Sequence, residues 1–219
     1  NGVYSPDVTP DPVFAFNQNA GRFVERRDVI LERFRLPAEY LLVSFRNPHL
    51  VSREWLANVK REGDRLGLPC VALPMPQGVE WGHDFQYEIP TPLDPLDWYS
   101  LIKYAAGYIG ENMHPVIVAL HNGVPCFSFD TYGHSGFLGL RSVDASSKIY
   151  DLLNQFELLD HRCTANQRWF KPPPAALILE RIKEFDRERC LRKSAAFYQR
   201  YEAVMQHLLG SLSNGAGSA

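Results

Sequence analysis

Cysteine is scarce in this chain of 219 residues, and Cys70, Cys126, Cys163 and Cys190 stand far apart with no C-x-x-C pair among them. That spacing signals neither a zinc site nor a disulfide framework, so the four read as reduced core thiols and a cytoplasmic setting is expected. Charge of either sign is missing in excess. The 23 Lys and Arg residues nearly balance 25 Asp and Glu, mixed along the whole chain, which leaves no basic stripe for a nucleic-acid backbone. No run approaches the roughly 18 apolar residues of a membrane helix, and no signal peptide is visible, so no membrane span is expected. G-x-G-x-x-G, Walker, G-x-S-x-G and H-E-x-x-H patterns are all missing, which removes the commonest nucleotide, serine-hydrolase and zinc-protease readings. There is no internal repeat.

What is present is apolar content of 45%, enough for one substantial core but too little chain for two full Rossmann-type domains. The opening NGVYSPDVTPDPVFAFN is turn-rich and reads as extended, and a start at Asn1 rather than methionine suits a piece of a longer protein. EYLLVSF, between Pro37 and the Asn47-Pro48 breaker, reads as a buried parallel strand. Ser52 then caps a helix whose apolar face is Trp55, Leu56, Val59 and Leu66, stopped by Gly67. PCVALPM is the next strand, completing a parallel βαβ unit.

GVEWGHDFQYEIPTP has no sustained period and reads as loop. Asp94 and Pro95 open a helix, Tyr108-Ile109 is a very short strand, ENMH a turn, and Pro115 the start of the helix PVIVALHN before Gly123. PCFSFD is a further strand, a glycine-containing loop follows, and Asp144 is expected to cap a helix bearing Ile149, Leu152, Leu153 and Phe156. The repetition marks a doubly wound α/β lobe with a parallel sheet flanked by helices over residues 1–174. Residues 175–209 read as a C-terminal helical extension, a solvated hairpin, and 210–219 as a flexible tail.

In open parallel sheets, ligands lie beyond the carboxyl ends of the strands, where helix N-termini turn free amides outward. That selects Glu111, Asn112 and His114, with the amides of Val116 and Ile117 facing an anion such as phosphate or carboxylate. A helix cap and a solvated turn explain the same residues equally well. Arg46, directly after the first strand, suits a two-bond grip on an anion or an ordinary surface ion pair. Asp130, Tyr132 and His134 share the rim, and Lys148 faces either solvent or the pocket mouth. His121 reads as structural at its helix C-terminus. Trp81, His83 and Asp84 form a loop that suits sugar stacking or a lid over the core. No metal-binding cluster is evident.

The stretch LDPLDWYSLIKYAAGYIGENMHPVIVALHNGVPCFSFDTYGH resembles the signature block of the polysaccharide pyruvyl transferases: a helix, a short strand, an Arg-Leu-His turn, an alanine-rich helix, a Gly-Val-Pro and a buried strand. DPVFAF, YLLVSFRN and SSKIYDLLNQFELLD match the same family in order, so the likeness spans about residues 10–160. The resemblance implies the second, Rossmann-like lobe of a two-lobed enzyme built like a GT-B glycosyltransferase. It also implies transfer of pyruvate from phosphoenolpyruvate to two sugar hydroxyls as a ketal, in exopolysaccharide or cell-surface glycan synthesis. The partners it implies are phosphoenolpyruvate as donor substrate, a glycan acceptor and an N-terminal lobe, with no cofactor or metal.

On the same resemblance His114 takes the place of the family histidine that acts as acid or holds the donor phosphate, and Arg46 that of a donor-binding arginine. Asn112 stands where the family has arginine, and an amide supplies neither the charge nor the fork of a guanidinium. Two other readings stay open: a GT-B glycosyltransferase using a nucleotide sugar, and a non-catalytic pyruvyl transferase-like binding module.

Overall fold

The computed structural model describes residues 11–47, 49–74, 85–135, 142–143 and 147–215, with backbone alone for 134–135, 142–143 and 211–215. Its centre is a wholly parallel sheet of six strands. In chain order these are β1 (Leu41–Ser44), β2 (Cys70–Ala72), β3 (Tyr87–Glu88), β4 (Gly107–Gly110), β5 (Cys126–Asp130) and β8 (Arg162–Thr164). In space they run β3-β2-β1-β4-β5-β8, the Rossmann arrangement in which the order reverses between β1 and β4. A separate antiparallel pair, β6 (His134–Ser135) and β7 (Ser142–Val143), follows β5.

The central strands read as unbroken apolar runs because helices cover both faces; every residue of β1, β4 and β5 is buried. Leu42, Val71, Tyr108 and Cys126 point to one face, covered by α1 (Val13–Ala20), α4 (Pro95–Lys103), α5 (Met113–His121) and α6 (Lys148–Gln155). Leu41, Val43, Ile109, Phe127 and Phe129 point to the other, under α3 (Arg53–Arg65) and α7 (Ala175–Lys183). Ser52 Oγ accepts from the Trp55 N–H at 3.1 Å and Asp94 Oδ1 from that of Leu96 at 2.8 Å, so both expected caps form. Gly123, with φ of 64°, ends α5 in the left-handed conformation that glycine adopts most readily.

Five local expectations are corrected. The opening segment is helical from Val13, and α2 (Arg27–Arg33) follows it. Burial of Phe14, Asn17 and Ala20 against neighbouring helices outweighs the weak local signal of α1. The stretch taken as loop contains β3, two residues paired with β2. The cap of α6 is Ser147, whose hydroxyl accepts from the amides of Ile149 and Tyr150, whereas Asp144 lies outside the described residues.

The fourth correction concerns α5, which starts at Met113 with Asn112 as its cap, two residues before Pro115. Proline is tolerated there because the first-turn amides have no intrahelical acceptor. The fifth concerns the C-terminal helices, which are no solvated hairpin: Ile178, Leu179 and Ile182 of α7 are buried on the sheet. α8 (Arg187–Gly215) crosses the opposite face against α5 and α1, burying Cys190 and Ser194, and it continues past Leu209. All four cysteines are free thiols. Among the described residues no helix is long and apolar enough to cross a membrane.

Candidate functional site

The reversal of strand order opens a crevice beyond the carboxyl ends of β1 and β4. Its floor is tightly fixed. Glu111, 2% exposed, donates its amide to the Ser44 carbonyl at 3.2 Å and accepts the Asn47 amide on its carboxylate at 2.7 Å. The loops that leave the two strands are thereby tied together, and Glu111 acts as their strut. Gly110 is required by close approach: a Cβ there would lie 2.3 Å from the Ser44 carbonyl oxygen and 2.2 Å from the Tyr108 hydroxyl. That hydroxyl is buried beside the Asn112 amide, and burial pushes it far above the ordinary phenol range, so Tyr108 stays neutral.

With α5 beginning at Met113, its unpaired amides are those of Met113 and His114 rather than of Val116 and Ile117, which lie further into the helix. His114 stands exposed in this first turn, and Asn112 is buried beside it. Both line a cleft of about 580 Å³. Its other walls are Val13 and Phe16 of α1, Pro74 after β2, Thr91, Pro92, Leu93 and Pro95, Trp98 of α4, and Tyr132 after β5. Of the residues expected at the site, the structure brings His114, Asn112 and Tyr132 together in this one space.

The others are placed apart. Arg46 is exposed just beyond β1, and among the described residues no group pairs with it. Lys148 is the first residue of α6 and lines a second cavity of about 410 Å³ with Arg200, Asp151 and Asp11; Met113 is a wall common to both cavities. His134 has its backbone in β6, with its side chain outside the described residues, as are Trp81, His83 and Asp84.

Asp130 is committed to structure. Its Oδ2 accepts from Arg162 Nε at 2.7 Å and from the Ser147 hydroxyl at 2.5 Å, while Oδ1 accepts the Tyr132 amide at 3.0 Å. Arg162 also stacks on Tyr150. One carboxylate thus anchors the cap of α6, strand β8 and the loop that presents Tyr132. His121 is structural, though not as the cation a helix C-terminus favours: its Nδ1 lies 3.2 Å from the Ser194 hydroxyl, and burial, with Lys103 nearby, pushes its pKa down to about 4. Among the described residues no group of three His, Cys, Asp or Glu side chains is arranged to hold a metal ion.

Sequence reasoning missed the apolar wall. Trp98 and Phe16 were assigned no site role, because which face of α4 and α1 meets the crevice is decided by packing. The proline-rich run from Pro90 to Pro95 was the available signal, since rigid turns beside a strand end commonly frame a pocket.

Solved structures similar to this chain include a glycosyltransferase and a polymerase. One is the glycosyltransferase SnogD from Streptomyces nogalater, at 14% identity and a TM-score of 0.48, covering 95% of this chain and 47% of that one. The other is the wall teichoic acid polymerase TagF, at 14% identity and a TM-score of 0.44, covering 93% of this chain and 50% of that one. The chain thus spans about half the length of each. A search of curated proteins finds no match. The model of the polysaccharide pyruvyl transferase family matches residues 1–132, more than half of the chain, from the first helix through the crevice to Tyr132. Across β1 to β5 and the Asn112 to His114 turn, then, this chain belongs to the polysaccharide pyruvyl transferase family.

Proposed function

We propose that this chain is the phosphoenolpyruvate-binding lobe of an enzyme that places pyruvate on two hydroxyls of a glycan as a cyclic ketal. The observation that carries the reading is that the family match covers the crevice between β1 and β4, with His114 exposed on the cleft wall at the start of α5. The amides of Met113 and His114, and the guanidinium of Arg46, which pairs with none of the described residues, supply positive ends for a donor phosphate at that rim. Asn112 adds a neutral amide where a charge is expected, so Arg46 carries more of the countercharge.

In this scheme His114 gives a proton to the methylene carbon of phosphoenolpyruvate, which becomes a methyl group and leaves an electrophilic centre at the neighbouring carbon. One sugar hydroxyl attacks that carbon and returns its proton to His114. The carbon–oxygen bond to phosphate then breaks, the second hydroxyl closes the ring, and its proton leaves with inorganic phosphate. Donor and diol become ketal and phosphate in balance, with no cofactor.

The test is calorimetric titration of the chain with phosphoenolpyruvate, paired with phosphate release from the donor in the presence of glycan acceptors. Saturable donor binding weakened by Arg46→Ala, with phosphate release lost in His114→Ala, is the expected result. A folded chain that ignores phosphoenolpyruvate but binds a nucleotide sugar overturns it.

A further inference from the structure

We infer that the cleft beside His114 holds the acceptor, as an uncharged sugar ring laid against the aromatic wall, and that the anionic donor stays at the rim outside that wall. This rests on the reading above, in which the two substrates are phosphoenolpyruvate and a glycan. The described residues lining the cleft include no Asp, Glu, Lys or Arg, and His114 is the one histidine among them. A phosphate and a carboxylate buried against such a lining would meet no Lys or Arg, and the first-turn amides and His114 would offset only part of the desolvation of two anions. A pyranose ring faces no such penalty. It presents a nearly flat face of C–H bonds and a rim of hydroxyl groups.

The cleft has matching parts. Trp98 is half-buried, held by the core behind it, and Tyr132 is 37% exposed at the mouth. The rings of Pro92 and Pro95 keep the wall between them stiff. Around this apolar surface stand hydrogen-bonding groups suited to hydroxyls: Thr91, the Asn112 amide, the Tyr132 phenol and His114. Among the described residues no group accepts from the Trp98 indole N–H. A volume of about 580 Å³ lies in the range of small-molecule sites. A ring seated here has His114 at its edge, where the proposed proton transfer needs a hydroxyl.

The experiment is calorimetric titration of the chain with uncharged phenyl glycosides and, separately, with phosphoenolpyruvate, at low and high salt. Glycoside binding is expected to be insensitive to salt and to weaken about tenfold in Trp98→Ala, from loss of the aromatic face. Since Trp98 also packs on the core, Tyr132→Ala at the exposed mouth is the companion variant, with a smaller loss in the same direction. Phosphoenolpyruvate binding is expected to fall with salt and with Arg46→Ala while ignoring Tyr132→Ala. If phosphoenolpyruvate binds but no phenyl glycoside does, or if both ligands lose affinity equally in folded Trp98→Ala and Tyr132→Ala, the acceptor assignment fails and the donor reading survives. Glycoside binding without donor binding sinks the donor reading instead.

Discussion

Replacing Arg162 with methionine leaves the aliphatic bulk and removes the charge that Asp130 faces. The two side chains are 7% and 1% exposed, and the Arg162 Nε to Asp130 Oδ2 distance is 2.7 Å, so the carboxylate has little access to water once its partner is gone. Breaking such a pair on one side costs about 3–5 kcal/mol, most of it the stranded charge. In a chain of this size each kcal/mol lowers the melting temperature by about 2–4 °C, so a fall of about 6–20 °C is expected.

Urea unfolding followed by far-ultraviolet circular dichroism gives the free energy, and a thermal scan the midpoint. The double variant Asp130→Asn with Arg162→Met removes both charges and should recover more than half of the loss, while the Ser147 and Tyr132 contacts to residue 130 persist in part. A single-variant loss under about 1 kcal/mol refutes the argument, because it puts the pair in the class of exposed ion pairs. So would a double variant no better than the single.

Gly110→Ala forces a methyl group against the Ser44 carbonyl, which cannot rotate away, so β1 and β4 must part; a loss of about 3 kcal/mol or failure to fold is expected, read by the same unfolding assay. His121 titrates near pH 4 in the fold and near the ordinary 6.5 when unfolded, so its contribution is complete above about pH 6.5 and is lost as pH falls toward 4. Complete shielding would make this about 3 kcal/mol, and the ring's partial solvent access reduces it to about 1–2 kcal/mol. His121→Gln should flatten that part of the stability profile. His161, also pushed down by burial and held on the Cys126 carbonyl, keeps a slope of the same sign. Trp55→Phe removes the indole donor to the Pro173 carbonyl at 2.7 Å, tying α3 to the segment before α7, and should cost about 1–2 kcal/mol in urea unfolding.

The strands of the sheet centre were legible because burial on both faces makes parallel strands read as solid apolar runs, and EYLLVSF and PCFSFD have no rival interpretation at that length. The caps at Ser52 and Asp94 were legible for a local reason: the capping side chain and the amides it receives are neighbours in sequence. The first helix was not, since Phe14 and Asn17 draw their stability from α5 and α8, more than ninety residues away in the case of α5.

The site divides along the same line. His114 and Asn112 follow from their place between a strand and a helix, a rule of topology. The fate of Asp130 does not, because Arg162 reaches it only after β8 has joined the sheet beside β5. Likewise the aromatic wall depends on how α1 and α4 rotate against α5, which periodicity leaves open.

The last two helices cover opposite faces of one sheet, and that arrangement orders events in time. Ile182 of α7 rests so close to Gly107 that a Cβ on that glycine would lie 3.0 Å from its side chain, and the Cys190 thiol of α8 donates a hydrogen bond to the Leu120 carbonyl at 3.1 Å. A chain emerging from the ribosome therefore makes β1, β4 and β5 before α7 and α8, which complete the cover of the two faces, exist. Until α7 is synthesised both faces of the sheet stay partly bare, and until α8 follows one of them still does. Folding of this sheet is thus tied to the synthesis of α7 and α8, and a stop before Ala175 would release a sheet with two sticky sides rather than a smaller working lobe.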